Sequence, residues 1–196
     1  LDLELRGAGN ILGGQQSGHL DALGFDLYTK MLERTIAELR GDEISNEINV
    51  SINLGVDVSI PKDYIVEASQ RLRTYKRIAS AETDDTLTTI HREIEDRYGR
   101  IPRSVENLFL YGKLRKLAER VGILSVDRAG NGLALKLSAN AKVQPDKLME
   151  TLEAYADATF SPAGILRVNE IKSEPLQFAI DLLEKIAPNA CNRYTG

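Results

Sequence analysis

The residues best placed to do chemistry stand at the start of the chain. Arg6 follows an alternation of Leu1, Leu3 and Leu5 with Asp2 and Glu4, and leads into Gly7, Gly9, Gly13, Gly14 and Gly18, with Gln15 and Gln16 among them. The alternation has the period of a strand with one buried face. Glycines free the backbone that follows, so the loop can carry a guanidinium and an amide to a phosphate or to a neighbouring domain. An exposed ion pair of Arg6 with Asp2 or Glu4 is the plainer alternative, and it would be worth little. A nucleotide cradle is a poor fit: Leu12 takes the third glycine position of G-x-G-x-x-G, no G-K-[ST] occurs, and no βαβ unit follows. The segment reads as the interior of a longer polypeptide.

Elsewhere the residue types offer no self-sufficient active site. His19 and His91 are far from each other and from Cys191, the single cysteine, so neither a metal centre nor an internal disulfide is expected. Glu93, Glu95 and Asp96 beside Arg92 and Arg97 read as a solvated helix face. Arg73, Lys76 and Arg77 fall opposite Leu72, Tyr75 and Ile78 on helical spacing, a basic stripe that could touch phosphates or simply face water. With a formal net charge of -4, any nucleic-acid contact has to be local. No apolar run approaches the roughly 18 residues of a membrane span, and a soluble, cytoplasmic protein with no membrane partner is expected.

The elements that would position these residues fall into two groups. Residues 19–40 carry two adjoining apolar stripes, Leu20, Leu23, Leu27 and Met31, then Phe25, Tyr28, Leu32, Ile36 and Leu39, which predicts a helix packed on two sides. Gly41 and the polar residues after it break the pattern, and the domain boundary is placed there, giving 1–41 and 42–196. Alternation from Ile48 to Val58, interrupted near Gly55, predicts a strand closed by Pro61. Helices follow over 62–81 with Ala68, Leu72, Tyr75, Ile78 and Ala79 inward, over 83–98 with Gly99 as the stop, and over 105–122 after Pro102. A hairpin across Gly130, Asn131 and Gly132, a helix over 145–157, a strand over 165–168 and a helix over 175–187 complete the pattern. The expected class is α+β: a helix-rich domain with a small, largely antiparallel sheet, preceded by a strand-loop-helix segment.

RGAGNILGGQQSGH followed by GFDLYTKML resembles the segment after the last helicase motif of the bacterial transcription-repair coupling factors. Its first part is similar to the translocation motif shared with the fork translocase RecG. RLRTYKRIASAET and DRYGRIP resemble the C-terminal domain of the coupling factors. The resemblance implies that Arg6 and Gln16, in the loop kept mobile by Gly7, Gly9, Gly13 and Gly18, couple ATP-driven closure of motor domains to movement on duplex DNA. It also implies that the strand-loop-helix segment is a remnant of a helicase RecA-like domain, in a parent that binds ATP and Mg outside this stretch, displaces stalled RNA polymerase and recruits UvrA. The C-terminal domain would then be a regulatory clamp on a UvrB-like N-terminal domain, masking the UvrA-binding surface. An independent nucleic-acid-binding module, or less readily a small-molecule enzyme built on the glycine loop, are the alternative readings.

Overall fold

The computed structural model describes residues 50–155, 157–171 and 173–188. Ten elements follow in order: β1 (Ser51–Asn53), α1 (Ala68–Ala79), α2 (Asp84–Tyr98), α3 (Arg103–Val121), β2 (Ile123–Ala129), β3 (Gly132–Leu137), α4 (Pro145–Ala154), β4 (Ala158–Ser161), β5 (Ile165–Val168) and α5 (Pro175–Ile186). The α+β class and the small, largely antiparallel sheet expected from sequence are what is found. Its strand order is β1-β2-β3-β5-β4. One pairing departs from antiparallel: β1 runs parallel to β2, with Ile52 beside Val126. A parallel neighbour requires a crossover, and the three helices α1 to α3 supply it.

Local chemistry explains the helix boundaries. The Thr83 side chain accepts from the Thr86 amide at 3.1 Å, Asp84 and Asp85 occupy the first turn of α2, and Arg97 its last, each favourable to the helix dipole. Gly99 and Gly122 end α2 and α3 at φ of 83° and 88°, where a side chain would be strained. The β2–β3 hairpin closes through Gly130 and Asn131, with Ala129 opposite Gly132.

Register then sorts the sheet into two faces. Val126, Leu135 and Leu166 stand in line across β2, β3 and β5 and are fully buried. Beside them Asp127, Ala134, Arg167 and Thr159 form the other face, which remains partly or fully open. Helix α3 packs on β2 and α5 packs on α3, and the two helices contribute Leu108, Leu114, Leu182 and Leu183 at 0% exposure to the same core. Each such leucine stabilises the fold by about 1.5–3 kcal/mol relative to exposure.

Four expectations are corrected. Of the strand predicted from Ile48 to Val58, the described residues from Val50 onward form only Ser51–Asn53, because Leu54, Val58 and Ile60 are buried in irregular chain instead. That chain has its polar groups met locally: the Ile60 amide donates to the Tyr75 hydroxyl at 2.6 Å, and Asn107 Nδ2 donates to the Asp57 carbonyl at 3.0 Å. The helix predicted from residue 62 begins at Ala68, since Pro61 opens a turn in which its carbonyl accepts from both Tyr64 and Ile65. The helix predicted over 145–157 ends at Ala154. After it, β4 was unforeseen: Phe160 is its one large apolar residue, and none of Ala158, Thr159, Phe160 and Ser161 is buried.

Candidate interaction surface

Helix α1 carries the residues singled out as a basic stripe, and its rotation differs from the sequence expectation. Thr74 and Ile78 are buried, and Arg71, Tyr75 and Ala79 are half-buried, a stripe spaced i, i+3, i+4, i+7 from Arg71. Ala68 and Leu72, expected inward, face solvent, with Leu72 at 50% exposure. The reason is the polar pair Arg71 and Thr74, which conceals the buried stripe from a count of apolar residues. Leu72 therefore lies on the solvent side with Arg73 and Lys76 rather than opposite them.

The four cations of α1 differ in what they hold. Arg71 Nη1 donates to the carbonyls of Ile65 and Val66 at 2.7 and 2.8 Å, fastening the approach to the helix. Arg77 forms an ion pair with Glu93 of α2. Arg73 and Lys76 are exposed and make no ion pair among the described residues. Val66 adds a second aliphatic side chain at 78% exposure. Single exposed aliphatics are ordinary. Here two of them flank the fastened Arg71, with two uncommitted cations beside Leu72. Sequence reasoning found the cations and missed Val66 and Leu72; an Arg71-Thr74-Ile78 stripe was the available signal.

The other charged side chains tie elements to one another. His91 Nε2 lies 3.0 Å from both carboxylate oxygens of Glu106, and its ring packs on Phe109 at 5.0 Å between centroids, joining α2 to α3. Lys113 Nζ reaches Glu184 at 2.9 Å and Asp84 at 3.8 Å, linking α3 to α5 and to the start of α2. Arg103 pairs with Glu174 at the start of α5. The Tyr64 hydroxyl donates to the Gly99 carbonyl at 2.9 Å; burial first, then Glu95, Glu106 and Tyr98, push that phenol above its ordinary value. Among the described residues no three His, Cys, Asp or Glu side chains are grouped to hold a metal ion. None of their helices is long and apolar enough to cross a membrane.

Arg6, Gln16, Gly7, Gly9, Gly13 and Gly18 lie outside the described residues, as does the boundary at Gly41.

Comparison with known proteins bears on what this surface belongs to. A TRCF domain family matches residues 54–148, the stretch from the end of β1 into α4. A transcription-repair-coupling factor of Haemophilus influenzae is 35% identical over 196 residues, covering 95% of this chain. The chain belongs to the transcription-repair coupling factor family. A second coupling factor, of Bacillus subtilis, is 37% identical over 157 residues, covering 79% of this chain. This chain spans only 17% and 13% of the length of those two relatives. In fold, it resembles a crystal structure of the C-terminal domain of transcription-repair coupling factor, with a TM-score of 0.61 at 18% identity, covering 69% of this chain and 90% of that one. The α1 surface thus sits on a domain with the fold of a coupling factor's C-terminal domain.

Proposed function

We propose that this chain is the regulatory and motor-coupling end of an ATP-driven DNA translocase that displaces stalled RNA polymerase at lesions and recruits nucleotide-excision repair. In this reading residues 42–196 act by contact, docking on a UvrB-like N-terminal domain of the same cytoplasmic polypeptide and masking its UvrA-binding surface. ATP and Mg are bound, and hydrolysis is performed, by domains elsewhere in the parent. The observation that carries the docking role is the α1 face, where Val66 and Leu72 are exposed beside Arg73 and Lys76 while neighbouring charges are spent on tying helices together. Supporting the wider reading are the family match and the likeness of RGAGNILGGQQSGH to a translocation motif.

Docking of this kind is a population shift: a contact present only in the closed state holds that state by its own free energy. Removing residues 42–196 from the full-length protein is expected to raise UvrA binding and basal ATP turnover, each by about tenfold for every 1.4 kcal/mol of docking energy. A truncated protein that remains folded and shows neither change overturns the regulatory role. A second reading, a nucleic-acid-binding module, draws on the same Arg73 and Lys76; it requires the isolated domain to bind duplex DNA with an affinity that falls steeply with salt.

A further inference from the structure

We infer that the domain carries a second basic surface, at the junction of α3 with the β2–β3 hairpin and across the open face of the sheet, which holds the phosphate backbone of duplex DNA. None of its residues belongs to the α1 face, so it stands or falls apart from the docking reading.

Charge is unevenly spread along the chain. The whole sequence is net acidic, yet from Lys113 to Lys142 it has seven Lys or Arg residues against two carboxylates. Both carboxylates are engaged within the domain: Glu119 accepts from Arg115 Nε at 2.9 Å, and Asp127 accepts from Asn53 Nδ2 at 2.8 Å. Folding then gathers the cations that are left. The Lys142 amide donates to the Val121 carbonyl at 2.6 Å, which sets Lys142 beside Arg120 at the end of α3. Lys136 stands on the open face opposite Ser125. Arg167, opposite Ala134, is its diagonal neighbour on β5, about 7–8 Å away across the sheet. Arg120, Lys136, Lys142 and Arg167 are all exposed, and none makes an ion pair among the described residues.

The surroundings of these four cations select the ligand. Besides the half-buried Ile165, the open face is floored by Ser125, Ala134, Thr159 and Ser161. Among the described residues the exposed large apolar side chains are Val66, Leu72, Met149 and Phe160; the first three lie on other elements, and Phe160 belongs to the opposite face, in line with Leu166. A protein partner draws its binding energy from aromatic, aliphatic or Arg anchors seated in pockets, and a flat floor of small residues offers no pocket. A single strand needs exposed rings on which its bases can stack, and the described open face has none. A duplex keeps its bases stacked and presents a phosphate about every 3.4 Å of axis on each strand. Long cationic side chains over small polar ones fit that outline, and contacts to phosphate alone carry no base sequence.

The test uses the 196-residue chain and a short fluorescein-labelled DNA duplex, with binding followed by anisotropy. Four phosphate contacts predict that log affinity falls with log salt with a slope of about −3.6, on the order of a hundredfold between about 50 and about 200 mM. Lys136→Gln/Arg167→Gln and Arg120→Gln/Lys142→Gln should each reduce the magnitude of that slope by about 2, with thermal melts establishing that both remain folded. Arg73→Gln/Lys76→Gln, on α1, should leave it unchanged. No binding at the lower salt, or a slope untouched by both of the first two variants, overturns the inference. Loss confined to the α1 variant overturns it in favour of that helix as the nucleic-acid contact. A glutamate-rich peptide that displaces the duplex at equal concentration of charge overturns it in favour of an acidic protein, and duplex RNA that binds more tightly than the DNA overturns it in favour of RNA. Deletion of residues 42–196 from the full-length protein tests the docking reading separately, since UvrA binding and basal ATP turnover do not enter these measurements.

Discussion

Gly132 shows how tightly single residues are specified. A Cβ built there would lie 1.8 Å from the Val168 carbonyl oxygen and 2.5 Å from the Asn169 carbonyl carbon, both backbone atoms of the chain running out of β5. Neither can move without parting β3 from β5, so Gly132→Ala is expected to cost about 3 kcal/mol or more in chemical denaturation. An alanine protein of unchanged midpoint would show that the two strands part freely. Arg6 calls for a different measurement. If it couples hydrolysis to movement, Arg6→Ala in the full-length protein should keep most ATP turnover and lose triplex displacement, because the guanidinium is not needed for the phosphate chemistry. Joint loss of both activities, or retention of both, removes the coupling role.

Among the elements, α2, α3, the hairpin and α5 were legible because their apolar residues recur at clean spacings. Leu87, Ile90 and Ile94, and Leu108 with Leu114, lie inward as read from sequence. Reading failed where polar groups do the inward packing or where an element carries and buries too little apolar surface to stand out. Thr74 at 7% exposure rotated α1 against its apolar count, and β4 buries none of its four residues, whereas β5, of equal length, buries Leu166 and Val168. The candidate surface suffered from the first of these: its cations could be counted, but that Leu72 stands beside them depends on Arg71 and Thr74 lying inward. One link between elements makes a pH prediction. Tyr64 bonds the end of α2, and its phenol in the folded state lies above the ordinary 10.0. Its contribution is complete below the unfolded value and is lost as pH rises from about 10 through the folded value. Denaturant midpoints should fall over that alkaline range, and Tyr64→Phe should flatten the fall. An identical alkaline slope in both proteins would refute this.

At the scale of the whole molecule, one hydrophobic core joins residues from Val50 to Ala187. A continuous core predicts that residues 42–196, expressed alone, unfold in a single cooperative transition seen alike by far-ultraviolet circular dichroism and tyrosine fluorescence. Two separated transitions would divide the domain. What no local pattern could convey is the parallel placement of β1, since it depends on three helices crossing back to β2. That placement has a mechanical consequence. Pulling on the chain ahead of Val50, where the proposed motor segment lies, loads β1 directly, and β1 holds to the sheet through three residues and the Asn53 amide bonded to Asp127 at 2.8 Å. Among the described residues it is an edge strand, with β2 as its sole neighbour in the sheet. Tension from that side would strip this strand while the hairpin and α5 stay packed, so the domain could yield a few residues of slack to a moving motor without coming apart.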